Sequence, residues 1–190
     1  MLYKHWSSDF HLKIASLTTL STPHSGSSFA DYALENLPGL VGFLNTLGLD
    51  VSAFPDLTVK STTSWANMPE VVDFETNVLP QYVQIRTYAG QCSFLATLAV
   101  LKLSHAYISK KEGENDGLVS IESAKWQPRY FQGVIPNCDH LNEVCHWHLD
   151  HVLSTEKRQP FLDRMYNFYL QLVEDMPIRD DFHENMEESN

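Results

Sequence analysis

The 190 residues include 13 basic and 24 acidic side chains, a formal charge of −11, with 43% hydrophobic and 12% aromatic content. That composition is enough for one well-buried core and excludes disorder over most of the length. So acidic a surface repels phosphate backbones and anionic head groups, and no nucleic-acid partner is expected.

Taken in chain order, residues 1–12 (MLYKHWSSDFHL) show no clear period and form an irregular start. They lack the basic region and apolar run of a leader, and no segment of the chain reaches the roughly eighteen apolar residues of a membrane span. No transmembrane segment is expected; the reading is intracellular, cytoplasmic or mitochondrial, with any leader lying upstream. Lys13 to Ser21 is short, rich in branched and hydroxyl side chains and stopped by Thr22-Pro23, which predicts a buried strand. Residues 26–37 carry serine caps and apolar Phe29, Ala33 and Leu37 at helical spacing, closed by Pro38-Gly39; a second short helix is expected over 39–47. From 50 to 80 the pattern is irregular, with Phe54-Pro55-Asp56-Leu57 opening a helix and Ser64 to Pro69 closing one. Tyr82 to Ala89 is the clearest strand, with Gly90 as its stop. A helix over about 93–108, the Gly113 to Gly117 turn, extended pieces at 118–121 and 131–136, and an amphipathic helix over 158–175 follow. Phe161, Tyr166, Phe168 and Tyr169 of that helix are expected to pack as core, and the tail over 179–190 is a solvated charge run. Strands alternating with helices predict an α/β domain over 13–178, mostly parallel, with functional loops at the carboxyl ends of its strands.

Two loops carry possible chemistry. Asn115-Asp116-Gly117 is a turn able to hold an acid among backbone amides, and His140 stands in Cys138-Asp-His-Leu-Asn-Glu-Val144. Alone, each has an ordinary structural explanation, since Asp-Gly is a common turn pair. In the order acid then histidine, each after a strand, they suit the pair that orients and deprotonates a nucleophile.

Three stretches, S-L-T-T-L-S-T-P-H-S-G-S-S-F-A-D-Y from Ser16, N-D-G-L-V-S-I-E-S-A-K-W from Asn115 and D-H-L-N-E-V from Asp139, together resemble the carboxyl-terminal half of the triacylglycerol lipase family typified by secreted bacterial lipases, and more closely its intracellular fungal and other eukaryotic relatives. The resemblance covers Lys13 to about Met176. It implies an incomplete α/β-hydrolase fold, with Asp116 as triad acid, His140 as triad base, and a helical lid inserted over about 27–80. It implies a serine carboxylic ester hydrolase acting on acylglycerol-type lipid esters, with no cofactor.

Two departures matter. Bacterial relatives place a calcium-ligating aspartate two residues after the histidine, whereas this chain has Asn142, so no metal is expected; Asp139 and Glu143 are read as tuning or solvating the histidine loop. The family's nucleophile lies in a G-H-S-x-G elbow upstream of the Ser16 strand, which this chain begins too late to contain. The lookalike P-H-S-G-S at 23–27 puts Pro23 where the elbow needs a small residue, so Ser25 is not expected to be the nucleophile. The three cysteines, Cys92, Cys138 and Cys145, read as free thiols, and a zinc site built from Cys138, Cys145, His146, His148 and His151 matches no strong ligand spacing. The expectation is the acid and base of a hydrolase whose serine lies on sequence outside this chain, in a longer product or on a complementing amino-terminal half; the alternatives are a truncated pseudoenzyme acting as a binding module and a non-functional fragment.

Overall fold

The computed structural model describes residues 14–37, 39, 54–145 and 155–177. The expected helix over 39–47, the start at 1–12 and the tail at 179–190 lie outside the described residues.

Three short strands form one parallel sheet in the order β1-β2-β3: β1 is Ser16–Leu20, β2 is Gln84–Gln91 and β3 is Phe131–Pro136. Hydroxyl, β-branched and aromatic side chains suit all three. β2 is central. Its side chains alternate between faces, and both faces are covered. Ile85 joins Phe74, Leu79, Val83 and Tyr130, and Ala89 joins Val119 and Ala124. Tyr88 packs with Ile135, Phe161 and Met165 beneath the long carboxyl-terminal helix. Arg86, 5% exposed, donates to the Leu172 carbonyl near the end of that helix, 3.2 Å away. Burial on both faces is what a strand in the middle of a parallel sheet requires.

The helices of the β1–β2 connection are α1 (Ser28–Asn36), α2 (Val59–Ala66), α3 (Pro69–Asp73) and α4 (Leu79–Tyr82). A single 3-10 turn at Phe54–Leu57 precedes α2, and Thr58 caps α2 by accepting from Ser61 N at 3.1 Å. Pro69 is the first residue of α3 and starts a helix as well as ending one, because a missing N–H costs nothing there. A π-turn over Phe74–Val78 carries α3 into α4.

Beyond β2 come α5 (Lys102–Lys111), α6 (Ile121–Ala124) and, after β3, α7 (Thr155–Glu174). Four expectations are corrected here. Gly90 lies inside β2 and does not end it, since the strand runs on to Gln91. The helix expected from 93 starts at a 3-10 turn, Ala99–Leu101, because the Leu98 amide is taken by the Asp139 carboxylate at 2.8 Å. Residues 118–121 do not pair as a strand: Ser120 caps α6 through the Ser123 amide, and the stretch has only an isolated bridge between Asn115 and Ser120. Tyr166 is 68% exposed, while Phe161, Phe168 and Tyr169 of the same helix pack on the sheet.

A methyl added at Gly90 would sit 2.0 Å from Glu143 Oε1 and 3.0 Å from the Cys138 carbonyl oxygen. Gly90→Ala therefore lowers stability by about 1–3 kcal/mol, the range for overpacking a filled interior, read as a fall in the denaturant midpoint.

Candidate active site

The acid is held by its own turn. Asp116, fully buried, accepts at Oδ1 from the amides of Leu118 (2.8 Å) and Val119 (2.7 Å). Gly117 provides the positive φ, +103°, that lets the chain fold back over the carboxylate. Asn115 completes the turn: its Oδ1 accepts from Gly117 N at 2.8 Å, and its amide donates to Ser109 Oγ and the Gly113 carbonyl, each at 2.9 Å. The turn follows α5 and not a strand directly, yet the Asn115 carbonyl accepts from Cys92 N at 3.2 Å, which seats it beside the carboxyl end of β2.

The second carboxylate oxygen, Oδ2, lies 2.7 Å from His140 Nδ1, and the His140 amide donates to the Asp116 carbonyl at 2.9 Å. The sequence-predicted acid and base are thus bonded to each other twice. The His140 side chain is 30% exposed, and its Nε2 has no partner among the described residues. Burial pulls the imidazole down, but the hydrogen bond and charge of Asp116, with Glu143 and Asp139 behind it, outweigh that and raise its pKa above the ordinary 6.5. The arrangement leaves one ring nitrogen committed to an acid and the other facing outward, as a general base requires.

Asp139 and Glu143, read from the sequence as tuning or solvating the histidine loop, are buried, at 0% and 2% exposure. Asp139 is a local brace, its Oδ1 accepting from the amides of Leu141 (3.1 Å) and Asn142 (3.0 Å). Asn142 returns the contact with its Oδ1 on Asp139 N at 3.4 Å, so the one side chain considered against calcium faces back into the loop. Glu143 accepts from Ser21 Oγ at 2.5 Å, and Ser21 Oγ accepts from Gly90 N at 2.7 Å. Burial first, then the Asp116 charge, pushes the Glu143 carboxyl up to about 8. The sequence points to Glu143 as tuning or solvating the histidine loop but not to its pairing with Ser21 or to the room Gly90 leaves it, because nothing in the sequence marks a glutamate as buried.

Ligand atoms of Asp116, His140 and Glu143 lie within 4.8 Å of one another, close enough in principle for a metal ion. The Nδ1 nitrogen of His140 is already bonded to Asp116, so the cluster fits a hydrogen-bonded acid–base group. Cys138 is buried among Ile135, Phe161 and Met165, and burial pushes its thiol far up, the opposite of a zinc thiolate. His146, His148 and His151 lie outside the described residues.

The other quoted motifs meet each other beside this site. Ser123 Oγ accepts from Ser25 N at 3.2 Å and donates to the Gly26 carbonyl at 2.6 Å, and His24 stacks on Trp126 with ring centroids 4.5 Å apart. Burial lowers the His24 pKa to about 4, leaving the ring neutral. Ser27 Oγ donates to the Leu118 carbonyl at 2.7 Å, and Glu112 bridges the Ser28 amide and the Ser120 hydroxyl. The turn after β1 is thereby clasped to the acid turn. Ser25 itself is exposed, and no hydrogen bond joins it to His140. Among the described residues, a cleft of about 750 Å³ is lined by Pro23, His24, Leu57 and Trp65 among others, and neither Asp116 nor His140 borders it.

No protein-family model matches the chain. It is 30% identical over 171 residues to triacylglycerol lipase 2 of Saccharomyces cerevisiae, covering 86% of this chain and 48% of that protein. Among solved structures it resembles the mature form of the Bacillus licheniformis lipase BlEst2, with a TM-score of 0.51, 25% identity, and 73% of this chain against 51% of that one. It also resembles the metagenomic carboxyl esterase MGS0156, with a TM-score of 0.57, 22% identity, and 88% of this chain against 51% of that one. The chain spans about half the length of the relatives it matches.

Asp116→Asn would turn an amide toward Nδ1, forcing the proton to Nε2 and lowering the His140 pKa. The cost to stability is about 1.5–3 kcal/mol, the value of a charge-assisted bond. Because the folded His140 pKa is raised above 6.5, its stabilising contribution is present below 6.5 and is lost as pH rises through the folded value. The variant's deficit is accordingly larger at acid than at alkaline pH. Nitrogen NMR of the imidazole and unfolding at two pH values check both statements.

Proposed function

We propose that this chain, a lipase-like α/β-hydrolase, supplies the acid and base of a serine carboxylic ester hydrolase acting on acylglycerol-type lipid esters. The observation that carries the reading is the 2.7 Å contact from Asp116 Oδ2 to His140 Nδ1, with Nε2 left unpartnered among the described residues. Asp116 holds the proton on Nδ1, so the lone pair of Nε2 takes the proton of a serine hydroxyl as its oxygen attacks the ester carbonyl. His140 then gives that proton to the departing alcohol oxygen, leaving an acyl-enzyme. A water, deprotonated by the same Nε2, releases the fatty acid and restores the serine.

The serine comes from outside the described residues, on a complementing amino-terminal portion. Likeness to a triacylglycerol lipase and to a bacterial lipase supports the lipid ester substrate. The helices between α1 and β2 act in this reading as a lid, within the insertion over 27–80 and the domain over 13–178. Three cysteines that form no disulfide suit a reducing, intracellular compartment. No helix among the described residues is long and apolar enough to cross a membrane.

A serine-directed fluorophosphonate leaves the 190-residue chain unlabelled and labels a longer product or a reconstituted pair of halves. Labelling of this chain alone that disappears in Ser25→Ala would assign the nucleophile to Ser25. No labelling of any longer product would favour a binding module. In the active form, kcat/KM falls on the acid side with an apparent pKa above 6.5, because Nε2 must be unprotonated to act.

A further inference from the structure

We propose that Glu143 is a positioning residue for the Asp116–His140 pair: a carboxylic acid that keeps its proton, accepts from Ser21 and donates to the Asp116 carboxylate. The geometry leaves little alternative. Asp116, His140 and Glu143 present their polar atoms within 4.8 Å of one another, and both acids are essentially sealed from water. Two ionised carboxyls beside one imidazole repel each other strongly in such a place, and one shared proton removes the repulsion. No salt bridge joins Glu143 to a lysine or arginine among the described residues.

Donor counting places that proton. Asp116 receives three donors, the amides of Leu118 and Val119 and the Nδ1–H of His140. Glu143 receives only the Ser21 hydroxyl, which leaves one of its oxygens free to carry a proton toward Asp116. The scaffold around it is built for the purpose. Ser21 adopts φ +41°, a left-handed conformation unusual for serine, and in it accepts from Gly90 N while donating to Glu143. Gly90 has no side chain where the glutamate carboxyl lies. The Tyr169 hydroxyl donates to the Glu143 carbonyl and pins the backbone from α7. Ends of β1 and β2, the histidine loop and α7 thus converge on one residue.

While Glu143 is protonated, His140 faces a single negative charge on the pair; when Glu143 ionises, a second appears. The role in positioning rests on the acid–base reading of Asp116 and His140, but the proton occupancy does not, and it is measured without turnover. Among the described residues, the other titratable groups around Glu143 include Asp139, Cys92, Cys138 and Tyr169; burial pushes both thiols and the phenol up, Cys92 to about 11, so those three stay neutral through the range that matters.

The experiment is a carbon NMR titration of glutamate-labelled wild-type chain, followed by imidazole shifts of His140 in wild type and Glu143→Gln. The Glu143 carboxyl is expected to titrate near pH 8, and the His140 ring to report that step as an upper inflection that vanishes in Glu143→Gln while its own titration remains. A Glu143 midpoint in the ordinary range near 4.5, or an upper inflection that survives the substitution, overturns the proposal. If the variant does not fold, the wild-type carboxyl titration still decides.

Discussion

The hydrogen bond between Asp116 and His140 joins two loops that no strand pairing connects, and the rest of the structure is arranged to let it form. Each loop is tied to the same end of β2: the Asn115 carbonyl accepts from Cys92 N, and the Cys138 amide donates to the Gln91 carbonyl. The histidine loop reaches that end because β2 and β3 are parallel and finish on the same side, and the acid turn is brought back to it after α5. β2 must be central for this to work, which is why its burial runs through both faces and even includes Arg86, answered by the carbonyl at the end of α7.

Burying acids at that end carries a cost of several kcal/mol for each unsatisfied ion. Asp116 is met by a turn whose amides point inward. Asp139 does the same for its own loop and reaches across to Leu98, fixing where α5 begins. Glu143 has no such nest. It is handled by keeping its proton and by the serine just past the end of β1, so that the acid with the fewest donors is the one left uncharged.

A second set of contacts holds the turn after β1 against the acid turn. Ser123, Glu112 and the His24–Trp126 stack link residues 24–28 to residues 112–126. Apart from the ring stack, the contacts between these two segments are side chain to backbone bonds nearly a hundred positions apart, and they give the 25–28 stretch a structural role: the Ser27 hydroxyl and the Ser28 amide both bond to the segment that carries the acid turn.

Several features were legible from residue type and local order alone. The three strands follow from branched and aromatic runs stopped by turn residues, the acid turn from Asn-Asp-Gly, and the candidate pair from an acid and a histidine in that order. The misreadings share a cause. Glycine usually punctuates, so Gly90 reads as a stop in the sequence, whereas in the fold it makes room for Glu143. Residues 118–121 read as an extended piece in the sequence, whereas Ser120 caps a helix. Tyr166 was grouped with its aromatic neighbours, although its position on α7 points it outward. Composition, turn chemistry and periodicity act over a few neighbouring positions, and those the sequence determined by itself. Which carboxyl is charged, and which serine supports it, depends on loss of water and on partners as far away as the 122 positions between Ser21 and Glu143, and that only the packed sheet decided.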